Sequence, residues 1–118
     1  MELFPIMAIL GHSESVIRLA KYYRAFDTER IHWTAALDLD LTRLALMISF
    51  AQIRDIYGFH EMERLIQPDN WYTSYRDYQQ CLYAIAEVRY GRTSIQYRST
   101  LDRFPGLKRI ALNPNILA

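Results

Sequence analysis

Large apolar side chains recur at helical spacing over residues 39–57, and this pattern limits the possible folds more strongly than any other in the chain. One row starts just before this stretch and alternates steps of four and three: Leu37, Leu41, Leu44, Ile48 and Ala51. A second row contains Leu46, Phe50, Ile53 and Tyr57. The two rows leave only a narrow polar strip, and a helix of this kind is normally buried among other helices. The sequence therefore predicts a buried central helix over about residues 34–57.

This stretch does not have the composition of a membrane span. Arg43, Gln52, Arg54 and Asp55 interrupt it, and its unbroken apolar part is shorter than the roughly 20 residues that a span requires. A chain of 118 residues suits one domain with its own core, so we expect a single helical domain over 1–118. The N-terminus lacks the basic segment and cleavage site of a signal peptide, which favours a cytoplasmic protein.

Residues 30–41 fit two descriptions. Apolar and polar residues alternate from Ile31 to Leu41, which is typical of a half-buried strand. The alanines and leucines of the same stretch favour a helix, and Thr34 can cap its first turn. We favour the helix, whereas the strand would make the protein an α+β fold.

Turn residues divide the remainder of the chain. Pro5 argues against a central strand in residues 3–10, which we expect to form a buried strand or a packed N-terminal arm. Ser13 or Ser15 can cap a helix, and Gly58 and Gly91 are suited to helix ends. Besides the central helix, the predicted helices cover residues 13–26, 71–90 and 93–104, with a short amphipathic piece over 59–66 and a short basic piece over 107–112. The prediction is therefore an all-α, compact domain of four or five helices.

No catalytic motif is complete in this sequence. Residues 11–15, GHSES, match a G-x-S-x-G nucleophile elbow except at the second glycine, and an ordinary helix cap at Ser13 is the simpler interpretation. His60 and Glu61 begin an H-E-x-x-H motif, but Arg64 replaces its second histidine. One cysteine and three scattered histidines do not make a zinc site. We therefore predict no catalytic residue, no metal site and no cofactor.

Charge is distributed unevenly along the chain. Residues 88–118 contain six Lys or Arg and one Asp, a net charge of +5, whereas residues 1–87 carry −4. Such asymmetry is typical of a basic binding edge, or of a tail that folds back on an acidic body, and we favour the second. The first would give a nucleic-acid-binding regulator that uses a basic helix over about 92–104, because Arg, Gln and Ser contact phosphates and bases. The predicted contacts are Arg89, Arg92, Gln96, Arg98, Ser99, Arg103, Lys108 and Arg109.

Aromatic residues favour a different partner. The chain contains nine tyrosines and two tryptophans, and aromatic and Arg side chains anchor protein interfaces. We therefore expect a non-enzymatic binding or regulatory module that docks a protein partner or its own copy, with nucleic-acid binding as the alternative. The predicted partner contacts are Trp71, Tyr72, Tyr75, Arg76 and Tyr90.

Overall fold

The structure is a computed structural model that describes residues 3–20, 33–66, 71, 73–92 and 95–112; for residues 3, 33–39, 73–75 and 95–98 only the backbone is described. These residues form seven helices and no strand, which confirms the all-α prediction. The helices are α1 Leu3–Ile9, α2 Ser13–Ala20, α3 Trp33–Gln52, α4 Ile56–Leu65, α5 Thr73–Tyr90, α6 Ile95–Asp102 and α7 Pro105–Ala111. The α+β alternative is wrong from residue 33 onward, and the expected four or five helices were too few.

The third helix is the centre of the fold, as the sequence predicted. Helices α1, α2, α4 and α5 all pack against α3, and every side chain from residue 40 to residue 51 is buried. The polar side chains of this stretch are therefore buried too, and they need hydrogen-bond partners within the protein. Arg43 Nη1 donates to the carbonyl of Leu65 at 3.3 Å, and the Ser49 hydroxyl donates to the carbonyl of Ala45 at 2.9 Å.

The central helix ends at Gln52, five residues before the predicted end at Tyr57. Arg54 adopts a left-handed conformation, with φ at 63°. Its amide donates to the carbonyl of Ala51 at 3.3 Å, and the Asp55 amide donates to that of Phe50 at 2.9 Å. These two bonds form a Schellman motif, which closes a helix by satisfying its last carbonyls.

A new helix begins directly after this turn. Asp55 is the N-cap of α4, and its side chain accepts from the Gly58 amide at 3.0 Å. Gly58 therefore lies in the first turn of α4. The prediction that Gly58 ends the central helix is wrong. The lack of a side chain at Gly58 serves packing, because a Cβ at this position would lie 2.7 Å from the Phe50 ring.

The structure corrects three further predictions, which concern Pro5, Pro105 and Ser13. Residues 3–9 are helical rather than a strand or an arm, since Pro5 lies in the first turn, where its missing N–H costs no hydrogen bond. Pro105 starts α7, although we expected it only to end the preceding helix. Ser13 is the first residue of α2, and its hydroxyl has no hydrogen-bond partner, so it does not cap the helix. The predicted extension of this helix to residue 26 lies outside the described residues.

The stop at Gly91 is confirmed. The helix α5 ends at Tyr90, and Gly91 has a φ of 105°, a conformation that glycine adopts without strain. The Gly91 amide donates to the carbonyl of Val88 at 3.1 Å, and the Arg92 amide donates to that of Glu87 at 2.9 Å. This second Schellman motif accounts for two of the four terminal carbonyls of α5.

Arginine side chains satisfy other helix ends from a distance. Arg54 Nη1 lies 3.2 Å from the carbonyl oxygen of Arg89 and 3.4 Å from that of Tyr90, which are the other two terminal carbonyls of α5. Arg89 donates in turn to the carbonyls of Ala8 and Ile9, at the end of α1, at 2.9 and 2.5 Å. A cation at a helix C-terminus is also favoured by the helix dipole. These contacts fasten α5 to the α3–α4 turn and α1 to α5.

Candidate functional site

The predicted partner contacts are partly used by the scaffold. Trp71 is half-buried against the core, and its indole N–H donates to Asp40 Oδ2 at 2.7 Å. Tyr90 is also half-buried, with its ring stacked on Phe59 at a centroid distance of 4.1 Å. Arg76 is exposed on α5, while Tyr72 and the side chain of Tyr75 lie outside the described residues. The described members of this set therefore do not form an open aromatic surface.

Arg89 was predicted to contact nucleic acid, but its side chain is buried. Its side chain is only 4% exposed and donates to two backbone carbonyls of α1. A guanidinium group held in this way cannot reach a phosphate, so Arg89 does not belong to that set. Burial lowers the pKa of Arg89 to about 10, which still leaves it charged at neutral pH.

Three other cationic residues that were predicted to contact nucleic acid form ion pairs with carboxylates. Arg92 contacts Glu63 and Glu87, Arg103 Nη1 lies 3.4 Å from Asp77 Oδ1, and Lys108 donates to Asp102. The contacts of Arg92 and Arg103 reach the acidic part of the chain, as expected if the basic segment folds back. Ser99 and Arg109 are exposed, and the side chains of Gln96 and Arg98 lie outside the described residues.

Arg92 is the centre of a polar cluster between α4 and α5, which we call the α4–α5 network. Its members are His60, Glu63, Tyr83, Glu87, Tyr90 and Arg92. Arg92 Nη1 lies 2.7 Å from Glu63 Oε2 and 3.1 Å from Glu87 Oε1. The Tyr83 hydroxyl donates to Glu63 Oε2 at 3.1 Å. One guanidinium nitrogen thus bridges two carboxylates that would otherwise repel each other.

Aromatic rings support the same cluster. The Arg92 guanidinium carbon lies 5.0 Å from the ring centre of Tyr90 and 5.2 Å from that of Phe59, within range of cation–π attraction. The two rings are nearly parallel, with an interplanar angle of 13°. His60 contacts Glu63 Oε1 through Nδ1 and the Tyr90 hydroxyl oxygen through Nε2, both at 3.2 Å.

The two glutamates have opposite pKa shifts. Burial raises the pKa of Glu87, and the nearby charge of Arg92 offsets only part of this effect. Burial alone would also raise the pKa of Glu63, but hydrogen bonds from Arg92, His60 and Tyr83 outweigh it and lower the pKa. Opposed shifts are found in acid–base sites, but structural ion-pair networks show them as well. Glu87 is only 1% exposed, and Arg92 joins it to Glu63 of α4, so the network links two helices.

We predict that Glu63→Gln lowers the free energy of unfolding by about 1–2 kcal/mol at pH 7, because it weakens charge-assisted hydrogen bonds. A carboxylate whose pKa is lowered by folding contributes stability above its unfolded pKa, near 4.5, and loses that contribution as the pH falls through its folded pKa. The difference from the unchanged protein should therefore shrink below pH 4.5. Urea unfolding at pH 3 to 7 measures this difference.

The control for that prediction is Glu61→Gln. Glu61 also pairs with an arginine, Arg64, on the same helix, but this pair is exposed. Exposed ion pairs contribute little to stability, so the Glu61 substitution should have the smaller effect. If the two variants lost the same free energy of unfolding at pH 7, the α4–α5 network would contribute no more to stability than an exposed ion pair.

A different surface is left open at the turn between α3 and α4. We call Ile53, Ile56 and Tyr57 the apolar corner; these side chains are 45%, 59% and 80% exposed, respectively. From their spacing in the second apolar row, Ile53 and Tyr57 are predicted to lie on the buried face of one long helix. Both lie outside the core because the Schellman turn at Arg54 interrupts that helix and changes the direction of the chain. The sequence signal for the break was Asp55, a good N-cap residue.

A shallow depression adjoins this corner at the N-terminus of α2. We call it the α2 depression; residues 11–15, Gln52 and Ile53 line it. Ile53 therefore belongs both to this depression and to the apolar corner. His12, Ser13 and Glu14 are neighbours here, but their side chains make no hydrogen bonds to one another, so no catalytic triad is formed.

Within the described part of the chain, no group of three or more His, Cys, Asp or Glu side chains could hold a metal ion. No helix there is long and apolar enough to cross a membrane. Cys81 is buried, and burial raises the pKa of its thiol to about 11, which makes it a poor nucleophile. No protein-family model, curated protein or solved structure is significantly similar to this chain.

Proposed function

We propose that the protein is a non-enzymatic docking module that binds a protein partner, or a second copy of itself, through the apolar corner. The observation that carries this proposal is the exposure of three large apolar side chains within five consecutive residues, Ile53, Ile56 and Tyr57. Clustered apolar side chains on a surface are typical of interaction sites, whereas scattered ones are ordinary. A partner would gain affinity by removing these side chains from water.

The backbone of the corner supports the same proposal. A non-glycine residue in the left-handed region costs of order 1–2 kcal/mol, and Arg54 adopts this conformation. Its guanidinium group is held at the end of α5, and Asp55 fastens the start of α4. The apolar side chains are therefore presented by a rigid turn, which lowers the ordering cost of binding.

The nucleic-acid alternative has less support. Of the cations it requires, Arg89 is buried, and Arg92, Arg103 and Lys108 contact carboxylates. Their charges are therefore partly neutralised before any phosphate approaches. Affinity for nucleic acid depends on the release of counterions by free cations, so we expect it to be weak at physiological salt.

A photoreactive phenylalanine analogue at position 57 tests the docking proposal. Placed in the full chain and irradiated in the cells that make it, the analogue should form adducts of discrete mass with another protein or with a second copy. Ile56→Asp should lower the yield about tenfold or more, the effect of losing a binding hot spot. Because Ile56 is exposed, this change should leave the fold intact.

The matched control carries the same analogue in place of Arg109, an exposed residue of α7. It should give no discrete adduct. Sedimentation velocity over a range of concentrations then separates self-association from binding to another protein. Equal adducts at positions 57 and 109, or none at 57 with a monomeric chain, would contradict the proposal.

A further inference from the structure

The N-terminus of α2 is open where it meets the α2 depression. The first amides of a helix have no acceptor within the helix, and a side chain normally caps them. His12 holds the N-cap position, since its carbonyl accepts from the Val16 amide at 3.1 Å. The amides of Ser13, Glu14 and Ser15 follow, and no side chain in the described part of the chain accepts a hydrogen bond from them.

Ser13 provides a second, independent observation at the same place. It lines the depression, is only 4% exposed, and has a hydroxyl oxygen without a hydrogen-bond partner. A buried polar group left unpaired destabilises a protein, and most buried hydroxyls avoid this cost by forming a hydrogen bond. Ser49 does so on α3 by donating to the carbonyl of Ala45. The Ser13 hydroxyl can donate a hydrogen bond, and within the described part of the chain no acceptor lies in hydrogen-bonding distance of it.

The chemistry of the depression selects an oxygen acceptor with negative charge. The orphan amides and the positive end of the helix dipole favour an anion at this position. Among the described residues, no Lys or Arg lines the depression, so this lining suits the single charge of a carboxylate better than the double charge of a phosphate. Glu14 also lines it and weakens the attraction by its own charge.

We propose that the α2 depression binds the carboxylate of an aspartate or glutamate in the protein segment that docks on the apolar corner. This inference rests on the proposed function, because Ile53 belongs to both surfaces and lets one segment occupy them together. An apolar side chain of the segment covers the corner, and its carboxylate caps α2. Because the Ser13 Oγ is buried, its side chain turns about the Cα–Cβ bond to donate to that carboxylate.

Amide resonances of the ¹⁵N-labelled full chain test the site without a known partner. The probe is sodium acetate, added at constant ionic strength and compared with acetamide, which has the same shape but no charge. Acetate should shift the amides of Glu14 and Ser15 saturably, and acetamide should not. Inorganic phosphate should bind no more tightly than acetate; tighter binding by tenfold would overturn the assignment to a carboxylate.

Two serine variants give the matched comparison. Ser13→Ala should weaken acetate binding about tenfold, since it removes a hydrogen bond to a charged group. Ser15→Ala removes an exposed hydroxyl but keeps the backbone amide, so binding should change less than twofold. Glu14→Gln should tighten binding by removing a like charge, and this result does not depend on how Ser13→Ala folds.

Absence of a saturable shift, or equal shifts with acetate and acetamide, would overturn the inference. Either result would leave the adducts at position 57 unaffected, and the docking proposal would stand alone. Conversely, acetate binding without any adduct at position 57 would support an oxyanion site and overturn its assignment to a docked segment.

Discussion

Replacing Arg89 by alanine is expected to lower the free energy of unfolding by about 3 kcal/mol or more, since charge-assisted hydrogen bonds contribute about 1.5–3 kcal/mol each. The guanidinium group donates to the carbonyls of Ala8 and Ile9, which end α1. Without it, these buried acceptors have fewer donors and a cavity remains beside them, which adds to the loss. The cost of burying the charge, seen in the lowered pKa of Arg89, offsets part of the gain from these bonds.

Urea unfolding followed by circular dichroism measures this effect. Arg109→Ala is the control, because it removes the same side chain from an exposed position, where changes usually stay within about 0.5 kcal/mol. Arg89→Lys should lie between the two, since an ammonium group lacks the planar fork that serves two carbonyls. A loss below 1 kcal/mol for Arg89→Ala would mean that water replaces the guanidinium group at the end of α1.

Gly58→Ala is expected to destabilise the protein by about 1–3 kcal/mol, the range for overpacking a core. The added Cβ would lie 2.7 Å from two atoms of the Phe50 ring, far inside ordinary contact. Phe50 belongs to the buried face of α3, so its ring cannot move without disturbing neighbouring side chains. This cost outweighs the gain of about 1 kcal/mol that alanine offers over glycine inside a helix.

Gly106→Ala is the matched control and should have the opposite sign. Gly106 is also helical, in α7, and an added Cβ there meets no atom within 4 Å. The substitution should stabilise the protein by about 0.4–1 kcal/mol, because it restricts the unfolded chain. Combining Gly58→Ala with Phe50→Ala should cost less than the sum of the two single changes, because Phe50→Ala removes the ring atoms that the added Cβ would meet. A stabilising effect of Gly58→Ala would disprove the close contact between α3 and α4.

The candidate site was harder to predict than the fold. Ile53 and Tyr57 continue the second apolar row of α3 at perfect helical spacing, so a periodicity argument places them in the core. They lie on the surface because Arg54 breaks the helix in a left-handed conformation that sequence patterns assign to glycine. Trp71 and Tyr90 were predicted at an interface from their residue type alone, and residue type does not distinguish an interface from a half-buried ring.

Local sequence patterns were enough to predict a helical protein, a central stretch over residues 41–51 and a stop at Gly91, because apolar spacing and glycine act over a few neighbouring residues. The positions of the arginine side chains depend instead on how the helices pack. Arg43, Arg54 and Arg89 each reach a helix end at least 22 residues away in the chain. A long cationic side chain looks the same in sequence whether it faces water or a distant carbonyl. The difference depends on which helix ends the packing brings within its reach.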